Sequence, residues 1–187
     1  TYGHVTWNST GQTADLDLNA SPASIGGDLT ISSTGTGSLS WVQSLNTNLA
    51  ITGNYVQSGG TFIYTDGTGT GTMSAVDVSV TGGSLVLTNS TGTPTLDVND
   101  DLVVSGGGTI TETGAGSGTI TFTGTAQQDV TAASGISNSI DITVNNTGGI
   151  LLLSDLSAPA DLTATSGDID AGGFDISVGG DFTISTD

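Results

Sequence analysis

The chain has 187 residues, with 18 acidic side chains, one histidine and neither lysine nor arginine, so its formal net charge is −18. Without cations it lacks the groups that bind phosphate, which excludes nucleic-acid binding and argues against nucleotide chemistry and anionic membrane surfaces. It has no cysteine, so disulfides and thiolate metal sites are excluded too. The longest apolar run, residues 150–153, is too short to insert across a bilayer.

Short runs in which polar and apolar residues alternate follow one another along the chain. They occupy residues 1–7, 29–31, 61–64, 84–87, 119–122 and 181–185. Alternation at period two, rich in Thr, Val and Ile, is typical of half-buried β-strands. No window has apolar residues at helical spacing over a helical length. The sequence therefore predicts an all-β protein.

A repeat unit organises these strands. Residues 54–60, 77–83 and 101–107 align without gaps: each begins with Asp or Asn, continues as an alternating strand and ends in a glycine-containing corner. Looser copies begin at Asp28, Asp161 and Asp181, and a distorted one begins at Asp141. We interpret the 40-residue interval from Asp101 to Asp141 as two periods, with residues 118–124 supplying a strand between them.

A period in the low twenties with strands, glycine corners and no helix predicts a β-solenoid, a right-handed parallel β-helix. About eight coils at ~4.8 Å per coil would make a rod about 40 Å long. The alternative is a β-sandwich, whose strands also recur at regular intervals. The repeat spans residues 1–187 as a single module, which we expect to be one segment of a longer fibre or repeat array.

Three blocks of the sequence resemble large secreted repeat proteins of Bacteroidetes. Residues 1–11 (TYGHVTWNSTG) are similar to their opening, residues 118–128 (GTITFTGTAQQ) to a block of the form G-T-v-T-F-n-G-t-x-Q, and residues 166–182 to a glycine-rich block that ends in V-g-G-n-f. The resemblance implies a β-helix of the filamentous-haemagglutinin or autotransporter-adhesin type, exported and displayed at the cell surface.

Catalysis has little support in the sequence. Polysaccharide hydrolysis needs two converging carboxylates, and the adjacent pair here is Asp100 and Asp101. Successive residues on a strand point to opposite faces, so we expect this pair to diverge. His4, the one imidazole, lies near an end of the chain and is predicted to be a surface residue. We therefore expect no enzyme activity.

The acidic residues that open the repeats raise the question of a metal. If the coils stack in register, Asp77, Asp101, Asp161 and Asp181 share one column, together with Asp28 and Asn54, and like charges would face one another. Such a column is either splayed and solvated or bridged by calcium, which prefers carboxylate oxygens. Neither an EF-hand loop nor a calcium-binding nonapeptide repeat occurs, and solvated carboxylates are the favoured interpretation.

Three further features have mainly structural interpretations. Asn8, Asn89 and Asn145 open Asn-x-Ser/Thr sequons and are candidate glycan acceptors. The Thr-Gly run at residues 68–72 is predicted to be a corner loop and not a threonine array for ice binding, because its threonine pairs do not recur at coil spacing. The aromatic side chains are predicted to stack in the core. They are Trp7, Trp41, Tyr55, Phe62, Tyr64, Phe122, Phe174 and Phe182.

Together these features predict a non-catalytic structural or adhesive module of an extracellular filament or bacterial surface adhesin. Its expected partners are copies of itself, joined end to end, and surface glycans. The alternative is a β-helix that binds or cleaves carbohydrate.

Overall fold

The computed structural model describes residues 2–18, 24–43 and 46–185. Every strand pairing in it is parallel, and these residues form no helix. The strands stack into a β-solenoid of about seven turns, which confirms the predicted fold class with about one turn fewer than the eight predicted. Parallel pairing at long sequence intervals distinguishes the solenoid from a sandwich, whose neighbouring strands are antiparallel.

Three stacked sheets and one separate pair of strands form the walls of the solenoid. The first sheet contains β1 (Val5–Asn8), β4 (Leu29–Ser33), β7 (Tyr55–Gln57), β10 (Val78–Val80), β13 (Leu102–Val104), β16 (Gln128–Thr131), β18 (Ile150–Leu152) and β21 (Ile169–Asp170). The second contains β2 (Leu16–Asp17), β5 (Ser38–Gln43), β8 (Thr61–Asp66), β11 (Ser84–Thr88) and β14 (Thr109–Thr111). The third contains β3 (Ser24–Ile25), β6 (Leu49–Ile51), β9 (Thr72–Ala75), β12 (Thr95–Val98), β15 (Thr119–Gly124), β17 (Asp141–Asn146), β20 (Leu162–Ser166) and β23 (Phe182–Ile184). The separate pair is β19 (Leu156–Ala158) with β22 (Ile176–Val178).

The second sheet is interrupted where the repeat is least regular. After β14, the next turn contributes only a bridge between Ile110 and Ile136 in place of a strand. Two non-glycine residues in this segment, Ser134 and Asn138, have positive φ angles of 52° and 68°. One turn later, β19 takes the place in the turn that the second sheet occupied below. The first and third sheets continue without a break through this region.

The core is built from side chains that alternate inward along each strand and stack on the equivalent residue of the next turn. Leu29, Tyr55, Val78 and Leu102 form one such column in the first sheet, and all four are fully buried. Stacking like on like buries apolar surface continuously along the axis, at about 25 cal/mol per Å². Columns of this kind explain why strands that alternate an apolar residue with a polar one specify the fold: the apolar residues face the core and stack from turn to turn.

The aromatic residues divide between the core and the last turn. As predicted, Trp41, Tyr55, Phe62, Tyr64 and Phe122 are buried. The ring of Phe62 lies 6.0 Å from that of Trp41 and 5.7 Å from that of Tyr55. Trp7 is half-buried in the first turn. The prediction was wrong for Phe174 and Phe182, which are 40% and 52% exposed because no described turn lies above them.

Candidate functional site: ladders of Asp and Asn side chains

A ladder of polar side chains runs up the corner that precedes the first sheet. Each rung except the last accepts a hydrogen bond from the backbone N–H of the rung one turn above. The rungs are Asp28, Asn54, Asp77, Asp101 and Asp129, and the four successive N–H to Oδ1 distances are 2.9, 3.3, 3.3 and 2.8 Å.

His4 begins this ladder in the first turn. Its Nδ1 accepts the Asp28 N–H at 3.0 Å and lies 3.2 Å from Asp28 Oδ2. The His4 side chain is 74% exposed, which agrees with the predicted surface position. It occupies the place that an Asp or Asn fills in the next turns, so its role in the structure is that of the first rung.

The ladder resolves the expected clash of stacked carboxylates in a way that sequence reasoning missed. Each Oδ1 faces a backbone donor, so the corner N–H groups are satisfied by side chains from the turn below. Three of the four acceptors are carboxylates, and hydrogen bonds to charged acceptors are stronger than those to neutral ones, so these bonds act against the solvent-screened repulsion between carboxylates one turn apart. The ladder therefore supplies hydrogen-bond partners for these carboxylates from within the chain.

The prediction that Asp161 and Asp181 share this column was wrong. They belong to a second ladder at the corner before the third sheet, where Asp161 N–H donates to Asp141 Oδ1 at 3.1 Å and Asp181 N–H donates to Asp161 Oδ1 at 2.8 Å. The 40-residue interval is not two periods of one corner, because the chain passes the first sheet again at Asp129 before it reaches Asp141.

A third ladder, made of a single pair of rungs, was not predicted. At the corner before β19 and β22, Asp175 N–H donates to Asp155 Oδ1 at 3.0 Å. The same Asp-then-strand pattern thus serves three different corners of the solenoid. Its recurrence in the sequence marks the start of a strand and does not identify which sheet that strand joins.

The first ladder contains one cluster of three carboxylates. One oxygen from each of Asp77, Asp100 and Asp101 lies within 4.8 Å of the others. The expectation that Asp100 and Asp101 diverge was wrong, because both lie in the corner between β12 and β13 and not on a strand, where period-two alternation would apply. Desolvation, then the charges of Asp101, Asp77 and Asp129, raise the pKa of Asp100.

This cluster is the arrangement in the described residues that could hold a hard cation through carboxylate oxygens. Of the four predicted calcium ligands, the structure brings Asp77 and Asp101 together and places Asp161 and Asp181 on the other ladder. Asp100 was not predicted as a ligand. Calcium binding stays a prediction.

If calcium binds here, millimolar Ca²⁺ should raise the melting temperature and EDTA should reverse the rise. Asp100→Asn should abolish the shift, because it removes a charge from the cluster without removing a rung of the ladder. Asp175→Asn, at the distant third corner, is the matched control and should leave the shift intact. Differential scanning fluorimetry measures all three proteins. If Ca²⁺ leaves the melting temperature of the parent protein unchanged, the prediction of calcium binding is wrong.

The raised pKa values of three carboxyl groups predict how the stability of the fold depends on pH. Burial raises the pKa of Asp97 and of Glu112, and desolvation together with the neighbouring charges of Asp101, Asp77 and Asp129 raises the pKa of the exposed Asp100. A group with a raised folded-state pKa binds more protons when folded than when unfolded, so stability falls as pH rises from the ordinary carboxyl pKa through the raised value.

We therefore expect the melting temperature to rise when the pH is lowered from about 7 to about 4. Most proteins lose carboxylate–cation pairs over this range, but here no lysine or arginine exists to form them. Melting curves at several pH values, at constant ionic strength, measure the trend. A melting temperature that falls steadily on acidification would contradict the expectation.

The sequons differ in exposure. Asn8 and Asn145 are exposed on strands β1 and β17, whereas Asn89 is half-buried with its Oδ1 enclosed. Glycan attachment at all three stays a prediction, and the structure makes Asn8 and Asn145 the accessible acceptors.

Threonines do recur at coil spacing, but at a place that the sequence analysis did not consider. Residues 68–71 are a corner, as predicted. On the outer face of the third sheet, however, Thr121, Thr143, Thr163 and Thr183 align one per turn. Their intervals in sequence are 22, 20 and 20 residues, so this column could have been found from the sequence.

A cleft lies beside the interrupted second sheet. It has a volume of about 430 Å³ and is lined by residues 104–109, 131 and 133–135. Its lining residues are Gly, Ser, Thr, Ala and Val, so none of them supplies an acid or a base.

Comparison with known proteins does not assign the chain to a family. No protein-family model matches the chain, no curated protein matches it, and no solved structure matches it. The chain is therefore classed by its fold, as a parallel β-solenoid. Within the described ranges there is no helix with the length and apolarity required to cross a membrane.

Proposed function

We propose that this protein is a non-catalytic structural or adhesive module of an extracellular filament or bacterial surface adhesin, joined end to end with further copies of itself. The observation that carries the proposal is the apolar inner face of the first and last described turns. Residues that face inward there are apolar, and they align with residues that are buried one turn further in.

The last turn shows this most clearly. Phe182 and Ile184 are 52% and 61% exposed, yet they pair in register with Leu162 and Ala164, which are 0% and 3% exposed. Another turn stacked above would cover them as they cover the turn below. Fully burying a large apolar side chain contributes about 1.5–3 kcal/mol.

The first turn has the complementary property. Leu16 is 40% exposed and pairs with Leu39, which is 1% exposed. The terminal strands also leave backbone donors and acceptors along an open sheet edge. A contact between two different ends of identical units is head-to-tail, and it extends as an open filament when the rotation does not close.

The charge favours coaxial joining over lateral clumping. A net charge of −18 surrounds the walls, so parallel rods repel one another sideways. The end faces, in contrast, present apolar columns and strand edges. A chain without lysine or arginine also offers no cleavage site to trypsin-like proteases, which suits an exposed fibre.

Electron microscopy at increasing protein concentration tests the proposal. We expect rods that lengthen in multiples of one module. Ile184→Asp, which places a charge on the end face, should shorten them, whereas Val76→Asp at a wall position of 37% exposure is the matched control and should not. Single short rods at every concentration, in the parent protein and both variants, would contradict end-to-end joining of separate chains.

A second candidate function is carbohydrate binding. The threonine column on the outer face of the third sheet supports it, because aligned hydroxyl groups offer donors and acceptors to the hydroxyls of a neutral glycan. Replacing Thr121 and Thr143 with valine keeps the shape and removes the hydroxyls. Glycan binding that persists unchanged in this double variant would exclude the column as the binding face.

A further inference from the structure

Glu112 occupies a core position of the solenoid. Thr111 at the end of β14 pairs with Val86, so the next residue, Glu112, falls in the inward column of Leu87. The turn below Leu87 places the buried Tyr64 in this column. Glu112 is itself only 1% exposed. A carboxyl group thus stands where the turns below have large apolar or aromatic side chains.

The carboxyl group is only half satisfied. Its Oε1 accepts a hydrogen bond from the backbone N–H of Gly118. Its Oε2 is enclosed and has no partner among the described residues. Burying an ionised carboxylate with one hydrogen bond is costly, whereas the neutral acid leaves just one hydroxyl unpartnered.

The bond to Gly118 closes a corner of the solenoid from inside. Residues 113–118 connect the second sheet to the third, and Thr113, Gly114, Ala115 and Ser117 in this corner are exposed. Thr113 N–H donates to the Thr88 carbonyl at 3.0 Å, which fixes one end of the corner. At the other end, the Gly118 carbonyl accepts the Asp141 N–H at 3.0 Å and the Gly118 N–H donates to Glu112, so it is the Gly118 N–H that depends on this one side chain.

The charged surroundings of Glu112 favour its neutral form. Burial is the largest cause that raises its pKa, the charge of Asp141 at the start of β17 adds to it, and the Gly118 hydrogen bond acts in the opposite direction. The other neighbours of this corner carry no charge: Leu87 and Thr88 lie below it, and Asn138 above it donates to the Glu112 carbonyl.

We propose that Glu112 is a pH-sensitive latch on the corner formed by residues 113–118. When the carboxyl group is neutral, it stays inside and holds Gly118. When it ionises, water draws it outward, the bond to Gly118 breaks and the corner opens. The latch is closed in acid and opens as the pH rises, independently of what the solenoid binds or joins.

Amide hydrogen exchange, followed by NMR, tests this latch. The observed quantity is the protection of the Gly118 amide relative to the Thr93 amide, which donates to the Gly69 carbonyl in the equivalent corner one turn below. In the parent protein this ratio should fall by up to about tenfold per pH unit between the ordinary glutamate pKa and the raised pKa of Glu112, and it should level off above that value. In Glu112→Gln, which keeps the acceptor oxygen and removes the acid, it should be independent of pH.

A second variant keeps the test decisive if the glutamine variant does not fold. Glu112→Leu copies the Leu87 column and should fold with a protection ratio that does not change with pH. Carbon NMR of the Glu112 carboxyl group should also show titration above that of a glutamate in the unfolded chain. The same pH profile in the parent protein and a folded variant, or an ordinary titration of Glu112, would overturn the latch.

Discussion

Gly83→Ala is expected to destabilise the solenoid by at least about 3 kcal/mol. Gly83 has a φ of +75° and stacks on Gly60, whose φ is +76°. A Cβ at residue 83 would overlap the carbonyl oxygen of Gly60, so the clash is with backbone that cannot move without separating two turns. Urea unfolding measures the loss of free energy.

Gly107→Ala is the matched control for this substitution. Gly107 also has a positive φ, +88°, but nothing lies within 4 Å of the position a Cβ would take. It should lose only the backbone cost, about 1–3 kcal/mol. Equal losses at residues 83 and 107 would show that stacking of corners is not what requires glycine at residue 83.

Phe62→Ala is expected to cost about 3–5 kcal/mol, because it removes a fully buried ring and leaves a cavity. Phe62 pairs with Leu39 below it and Leu85 above it, and it contacts both Trp41 and Tyr55. The cavity would thus interrupt the core over three consecutive turns.

Phe182→Ala is the control for Phe62→Ala, because it also removes an aromatic ring but from a position that is only half buried. Phe182 lies in the last described turn and is 52% exposed, so its removal should cost about 1 kcal/mol, roughly half the value of a fully buried side chain and well below the loss at Phe62. Thermal and urea unfolding of both variants measure the difference. Similar losses for Phe62 and Phe182 would contradict a core that is continuous along the axis.

The fold could be predicted from the sequence because its information is local and repeated. Alternation at period two marks each strand, and the aligned segments at residues 54–60, 77–83 and 101–107 fall in successive strands of the first sheet. Parallel stacking follows from such a repeat, since equivalent residues must meet in adjacent turns.

The ladders could be predicted only in part. The residues were found, but an Asp before a strand occurs at three corners, so spacing alone could not assign Asp161 and Asp181 to a corner different from that of Asp101. The hydrogen bonds that pair each carboxylate with the N–H above it depend on backbone directions at the corner. These directions are set by the stacking and have no signature in composition.

Glu112 shows the opposite case, in which the sequence gives no warning. It follows β14 in a polar stretch, and an exposed corner is the ordinary interpretation of such a glutamate. Its burial follows from the register of β14 against β11, which places residue 112 one position beyond the paired Thr111 and Val86. For both the ladders and Glu112, the missing information was the register between successive turns, which the sequence alone does not specify.

The measurement that tests the proposed function most directly is X-ray diffraction from concentrated, aligned protein. End-to-end joining continues each sheet from one module into the next, so the strand spacing of about 4.8 Å should appear as a reflection along the filament axis. A 4.8 Å reflection perpendicular to the axis, or filaments in which the rods lie side by side, would contradict a module that functions by coaxial stacking.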